Sequence, residues 1–206
     1  SNQSLADAVK DKIAAIGEVT LNSEPAIKAA EDVYAELTEE QKALVDNYDV
    51  LTDARAKYKK LADDKAAADA VKDKIAAIGE VTFGSESAIK AAEDAYAALT
   101  GEQKALVDNY GVLTDARAKY KKLADDKAAA DAVKDKIAAI GEVTLGSEPA
   151  IKAAGDAYAA LTDEQKALVD NYGTLTDARA KYKKLADDKA AADAVKDKIA
   201  AIGEVT

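Results

Sequence analysis

The stretch TDARAKYKKLADDKAAADAVKDKIAAIG, residues 52–79, recurs letter for letter at 114–141 and again at 176–203. It contains no proline, and its only glycine is the last residue. Apolar side chains at Ala54, Tyr58, Leu61, Ala68, Val71, Ile75 and Ile78 return at spacings that keep to one face of a helix. Only the step around Asp64 and Lys65 lacks a large apolar residue. The pattern predicts a single helix of about 27 residues, roughly 40 Å long at 1.5 Å per residue. Such a helix leaves one packing unit and enters the next.

Outward from this stretch, the phrase VKDKIAAIGEVT begins at Val9, Val71, Val133 and Val195, which sets a period of 62 residues. The expected fold class is all-α: tandem three-helix-bundle repeats with a short fourth helix in each, joined by long continuous helices as a spectrin-like elongated rod. The expected boundaries are helical repeats over residues 4–66, 67–128 and 129–190, with 191–206 the first helix of a partial repeat. Two framings are open for the long helix. Its halves could belong to successive units, which the complete VKDKIAAIG helix near the start favours, or both could pack on one middle pair.

Within a period, the first helix is expected over residues 4–16, capped by Ser4, with Ala8 or Val9, Ile13 and Ile16 inward and Gly17 as the left-handed stop. Leu5 stands where later copies have Ala67, Ala129 and Ala191, and is expected to cover an exposed end. Residues 18–22 are expected to be an extended connector with Val19 and Leu21 inward. Ser23 is the next expected cap, before a helix to about Leu37 with Ile27, Ala30, Tyr34 and Leu37 on its core stripe. Thr38 with Gln41 forms a capping-box pattern, repeated by Thr100 with Gln103 and Thr162 with Gln165. It should start a short helix over residues 39–47. Asp49, replaced by Gly111 and Gly173 in later copies, suggests a turn, with Thr52 capping the long helix. Gly155 replaces Glu31 and Glu93 inside a helix; if exposed there it should cost about 1 kcal/mol.

Lysine plus arginine number 29 against 39 acidic residues, a formal charge of -10. A surface of that sign repels nucleic acid and anionic membranes, and neither is expected as a partner. The chain has no cysteine, histidine, methionine or tryptophan, which excludes disulfides, thiolate metal sites and imidazole bases. The lack of cysteine suits an exported protein. No apolar run approaches the length of a membrane span, so no membrane insertion is expected.

Acidic neighbours such as Asp63 with Asp64, or Glu31 with Asp32, point about 100° apart on a helix and imply a solvated face rather than an acid–base pair. Glu39, Glu40 and Asp46 lack the dense ligand pattern of a calcium loop. Lys57, Lys59 and Lys60 are placed to pair with Asp53, Asp63 and Asp64 along the helix. No catalytic, cofactor-binding or metal-binding residue emerges, and neither an enzyme nor a cofactor is expected. Of the three tyrosines per period, Tyr34 and Tyr58 fall at core spacing, whereas Tyr48, Tyr110 and Tyr172 follow the short helix and are the candidate partner-binding residues.

The phrases PAIKAAEDVYAELTEEQKALVDNYDVLTDARAKYKKL and SAIKAAEDAYAALTGEQKALVDNYGVLTDARAKYKKL resemble tandem helical-bundle repeats of secreted or cell-wall-attached surface proteins of Gram-positive bacteria. The resemblance rests on Ala95-Tyr96, the Leu-Thr-x-Glu-Gln-Lys run over residues 99–104, Leu106-Val107 and Leu113-Thr114. It implies an extracellular, cell-wall or cell-surface location and a stalk that carries a functional head domain away from the wall. The leading expectation is therefore a monomeric structural spacer whose partners are the neighbouring repeats of its own chain. At one long helix per period it should be on the order of 120 Å long. The alternative is a repeated binding module for a host surface protein or glycan.

Overall fold

The computed structural model describes residues 1–203. Among them are ten helices and no strand: α1 (Asn2–Ala14), α2 (Glu24–Ala35), α3 (Glu39–Lys42), α4 (Tyr48–Ala76), α5 (Glu86–Ala97), α6 (Gly101–Ala105), α7 (Tyr110–Ala138), α8 (Glu148–Ala159), α9 (Asp163–Ala167) and α10 (Tyr172–Ile202). The fold is all-α, with three helices and a short fourth in each repeating unit and long helices joining the units. By compactness the chain divides into Ser1–Arg117 and Ala118–Thr206, and the division falls within α7.

In the first unit, Ala6, Val9, Ile13 and Ile16 meet Ile27 and Ala30 of α2 and Leu51 and Ala54 of α4, with Val19, Val33, Tyr34 and Tyr58 packed around them. Farther along, the same α4 buries Ala68, Val71 and Ile75 where it packs on α5 and α6. One 29-residue helix thus contributes its two ends to two separate sets of neighbours. Between Tyr58 and Ala68 no residue of α4 is buried. That segment is laced instead by Lys59–Asp63 at 2.5 Å, Lys60–Asp64 at 2.8 Å and a Lys65–Asp69 pair, each one turn apart. In the second unit, Ala130, Val133, Ile137 and Ile140 pack with Ile151 and Ala154 of α8, Val169, and Leu175 and Ala178 of α10.

Helix ends follow the side chains available. Gly17, Gly79 and Gly141 take φ of 61°, 59° and 58°, the left-handed stop that an L side chain resists. All three capping boxes form, with the threonine hydroxyl accepting from the glutamine backbone and the glutamine side chain returning to the threonine N–H.

Several sequence expectations are corrected. Ser1, not Ser4, caps α1: its hydroxyl accepts from the Ser4 N–H at 3.2 Å. Ser23 sits at the N-cap of α2 but makes no cap bond, because its hydroxyl accepts from Thr20 N behind it at 2.8 Å. The short helices end early, at Lys42, Ala105 and Ala167. The long helices start early, at Tyr48, Tyr110 and Tyr172, so Asp49, Gly111 and Gly173 lie in a helical first turn and not in a turn needing glycine. Thr52 is inside the helix and donates its hydroxyl to the Asp49 carbonyl at 2.9 Å. Leu5, Leu21 and Leu61 are exposed, whereas Val19 packs on the core as expected.

Candidate functional site

Two arrangements recur. The first clasps the unsupported middle of the long helix. The Gln103 side chain that completes the α6 capping box through Oε1 also donates Nε2 to Asp64 Oδ1 of α4 at 2.9 Å. Gln165 donates likewise to Asp126 at 2.9 Å, and Gln41 to Asn2 at 3.0 Å. Lys60 adds an ion pair to Glu102 beside its bond to Asp64. The Lys60 ammonium, with help from the Gln103 amide, holds the Asp64 carboxyl below its usual range. A second tie lies one turn beyond the short helix. Asn47 donates Nδ2 to the Lys10 carbonyl at 3.1 Å, and Asn109 and Asn171 do the same to Lys72 and Lys134 at 3.0 Å. These side chains fix where each short helix sits on the long helix preceding it.

The second arrangement is a groove between α2 and α4, repeated between α5 and α7. It is lined by Glu31, Tyr34, Ala35, Tyr48, Leu51, Thr52 and Arg55 over about 370 Å³. The next copy uses Glu93, Tyr96, Ala97, Tyr110, Leu113, Thr114 and Arg117 over about 390 Å³. The candidate tyrosines stand here. Tyr48 stacks on Tyr34 with centroids 4.1 Å apart and planes 17° apart, and Tyr110 on Tyr96 and Tyr172 on Tyr158 do likewise at 4.1 Å. Tyr48 and Tyr110 remain 41% exposed, while Tyr58 is half-buried against the core. Tyr48 and Tyr110 therefore each cover an inner ring and remain open to solvent, whereas Tyr172 is half-buried against the core of its repeat.

Arginine closes the groove. Arg55 donates Nε and Nη2 to the two oxygens of Glu31 at 2.7 and 2.6 Å, and Nη1 to Glu24 at 2.5 Å. Arg117 repeats the fork on Glu93 at 2.8 and 2.7 Å, with Glu86 at 2.8 Å. The guanidinium bonds hold the Glu31 and Glu93 carboxyls below their ordinary value, against a smaller upward push from burial. In the third repeat Gly155 replaces that glutamate, and Glu148 instead accepts from the Tyr182 hydroxyl at 3.1 Å. Gly155 is buried rather than exposed, because Arg179 lies across it: a Cβ there would stand 2.0 Å from Arg179 Nη2. Spacings of 24 and 31 residues hid this fork from sequence reasoning. The one available signal was the coincidence of a glutamate lost from a helix with an arginine kept in the next.

The acidic neighbours are paired or solvated. Asp32 meets Lys28 at 3.0 Å, Asp63 meets Lys59, Glu39 meets Lys42 at 3.0 Å and Asp46 meets Lys10 at 3.4 Å. Among the described residues no group of three or more histidine, cysteine, aspartate or glutamate side chains is placed to hold a metal ion. Nor is any described helix long and apolar enough to cross a membrane. Neither a protein-family model, nor a curated protein, nor a solved structure matches the chain.

Proposed function

We propose that this chain is a structural spacer, the stalk of a bacterial surface protein that holds a functional head domain away from the cell wall. The observation that carries the proposal is α4, a single helix that enters two sets of neighbours and whose bare middle is clasped by Gln103 and Lys60. A continuous helix bends only by giving up its own hydrogen bonds and packing, so such junctions resist folding back. The resemblance to Gram-positive surface repeats supports an extracellular setting, and near-identity of the copies suits variation in number. No chemistry is required of such a protein, and its partners are its own neighbouring repeats.

Small-angle scattering on this chain, and on versions one repeat longer and one shorter, tests the proposal. The expected result is a maximum dimension that rises by a constant increment of roughly 40 Å per repeat. A dimension that grows only as the cube root of length would defeat it. A second reading, a repeated binding module, is favoured by one observation: the tyrosine-faced groove recurs with an exposed ring at Tyr48 and Tyr110.

A further inference from the structure

We propose that the third repeat carries a binding site for a small ring-bearing carboxylate, formed by Arg179 over Gly155 beside the stacked Tyr158–Tyr172 pair. The chain contains its own controls. In the first two repeats the groove arginine is saturated by an internal carboxylate on Nε and Nη2 and by a second on Nη1. The third repeat keeps the arginine, both tyrosines and the threonine and leucine at the corresponding positions, and loses only the forked glutamate. Among the described residues Arg179 has no ion pair, and it is exposed where Arg55 is half-buried. Gly155 supplies the space into which its guanidinium has settled.

A guanidinium presents its donors in a rigid plane that matches a carboxylate two bonds at a time. The exposed Arg179 guanidinium can therefore make with an incoming acid, on swinging off Gly155, the paired bonds that Arg55 and Arg117 make with Glu31 and Glu93. Tyr172, half-buried with its ring stacked on Tyr158 at 4.1 Å and 22° from parallel, leaves part of that ring in solvent, against which a ring attached to the acid can lie. Of the neighbouring carboxylates, Asp156 is paired with Lys152 at 2.6 Å, and Glu148 is turned to the Tyr182 hydroxyl, from which it accepts at 3.1 Å. In a chain of charge -10, Arg179 is the one of the three arginines without a carboxylate partner among the described residues. This inference is independent of the spacer reading, since one repeat in an array can carry a ligand without altering the others' packing.

The test is a titration of the full chain with benzoate, followed through the arginine Nε–H resonances, which report Arg55, Arg117 and Arg179 separately. The expected result is a saturable shift at Arg179 alone, in the millimolar range typical of one bidentate pair with a stacking contact. Gly155→Glu should weaken benzoate binding at Arg179 by at least about tenfold by supplying the internal partner. Glu93→Gly should create a second site, with Arg117 now shifting. Both variants recreate states that the natural repeats already hold, so folding is not at issue. Acetate should bind more weakly than benzoate, and a short peptide bearing one glutamate should behave like acetate if the natural source is a free ring acid. A peptide that matches benzoate assigns the source to a protein side chain and overturns the ring requirement. No saturable shift at Arg179 up to about 50 mM benzoate, or equal shifts at all three arginines, overturns the site itself.

Discussion

Residues 52–79 and 176–203 are the same sequence in two settings. In α4 the side chains of Val71 and Ile75 are buried, Ile75 completely. In α10 their counterparts Val195 and Ile199 are 56% and 63% exposed, and Ile202 is 69% exposed. Helix formation is thus carried by the segment itself, through alanine, the absence of breakers and the Lys–Asp pairs one turn apart, which persist in α10 as Lys183–Asp187 and Lys184–Asp188. Burial is not carried by the segment. It comes from the α2-like and short helices that follow, so each repeat completes the core of the helix preceding it. The third repeat differs again at Gly155, where a lost carboxylate leaves an arginine with nothing but a glycine to cover.

The largest expected effect breaks the first half of that comparison. Ile75→Ala should destabilise the first unit by about 2–5 kcal/mol, the range for deleting a fully buried aliphatic side chain, whereas Ile199→Ala should fall within about 0.5 kcal/mol. Urea unfolding of the two variants reads the difference, and equal costs would mean that the α10 stripe is covered in solution. Next comes the arginine fork. Gly155→Glu should stabilise the third repeat by about 1 kcal/mol through helix propensity alone. A further few tenths should come from an exposed pair with Arg179. Arg179 is the tip of a flexible chain, so it can swing aside to admit the new side chain. Glu93→Gly should lose a similar amount in the second repeat. A Gly155→Glu variant no more stable than the parent would show that Arg179 cannot leave the glycine.

The smallest effect is in pH. The Glu31 and Glu93 carboxyls are held below their ordinary value by Arg55 and Arg117, so the folded protein keeps them ionised after the unfolded chain has begun to take up protons. Their contribution is complete at neutral pH, falls as pH drops below the unfolded value, and is gone once pH passes below the folded one. The advantage of Gly155→Glu at pH 7 should therefore shrink as pH falls below the unfolded carboxylate value of about 4.5, leaving only the helix-propensity part. Thermal melts of parent and variant across that range check it. A gain independent of pH would remove the ion pair from the account.

Much of this was open to the sequence because its causes are local. Gly17 and Gly79 stop helices through their own backbone freedom, and Thr38 with Gln41 closes a box across three residues. The long helix starts earlier than expected for a local reason too. Aspartate at position 49 and glycine at 111 and 173 suggested a turn, yet a first helical turn accepts both, the aspartate with benefit because unpaired N–H groups face it there. Leu21 points outward against expectation because connector side chains follow no period. The groove was half legible. Tyr48, Tyr110 and Tyr172 stand out by their position after the short helix, but the rings beneath them and the arginines beside them come from elsewhere in the bundle.

The clasp through Gln103 has a direction. Its partner Asp64 always precedes it in the chain, by 39 residues, as Asp126 precedes Gln165 and Asn2 precedes Gln41. During synthesis, which delivers the amino terminus first, every short helix is released when the helix it must grip has already been made. The array can therefore be assembled like masonry, each course set on the one beneath and closing the top of it.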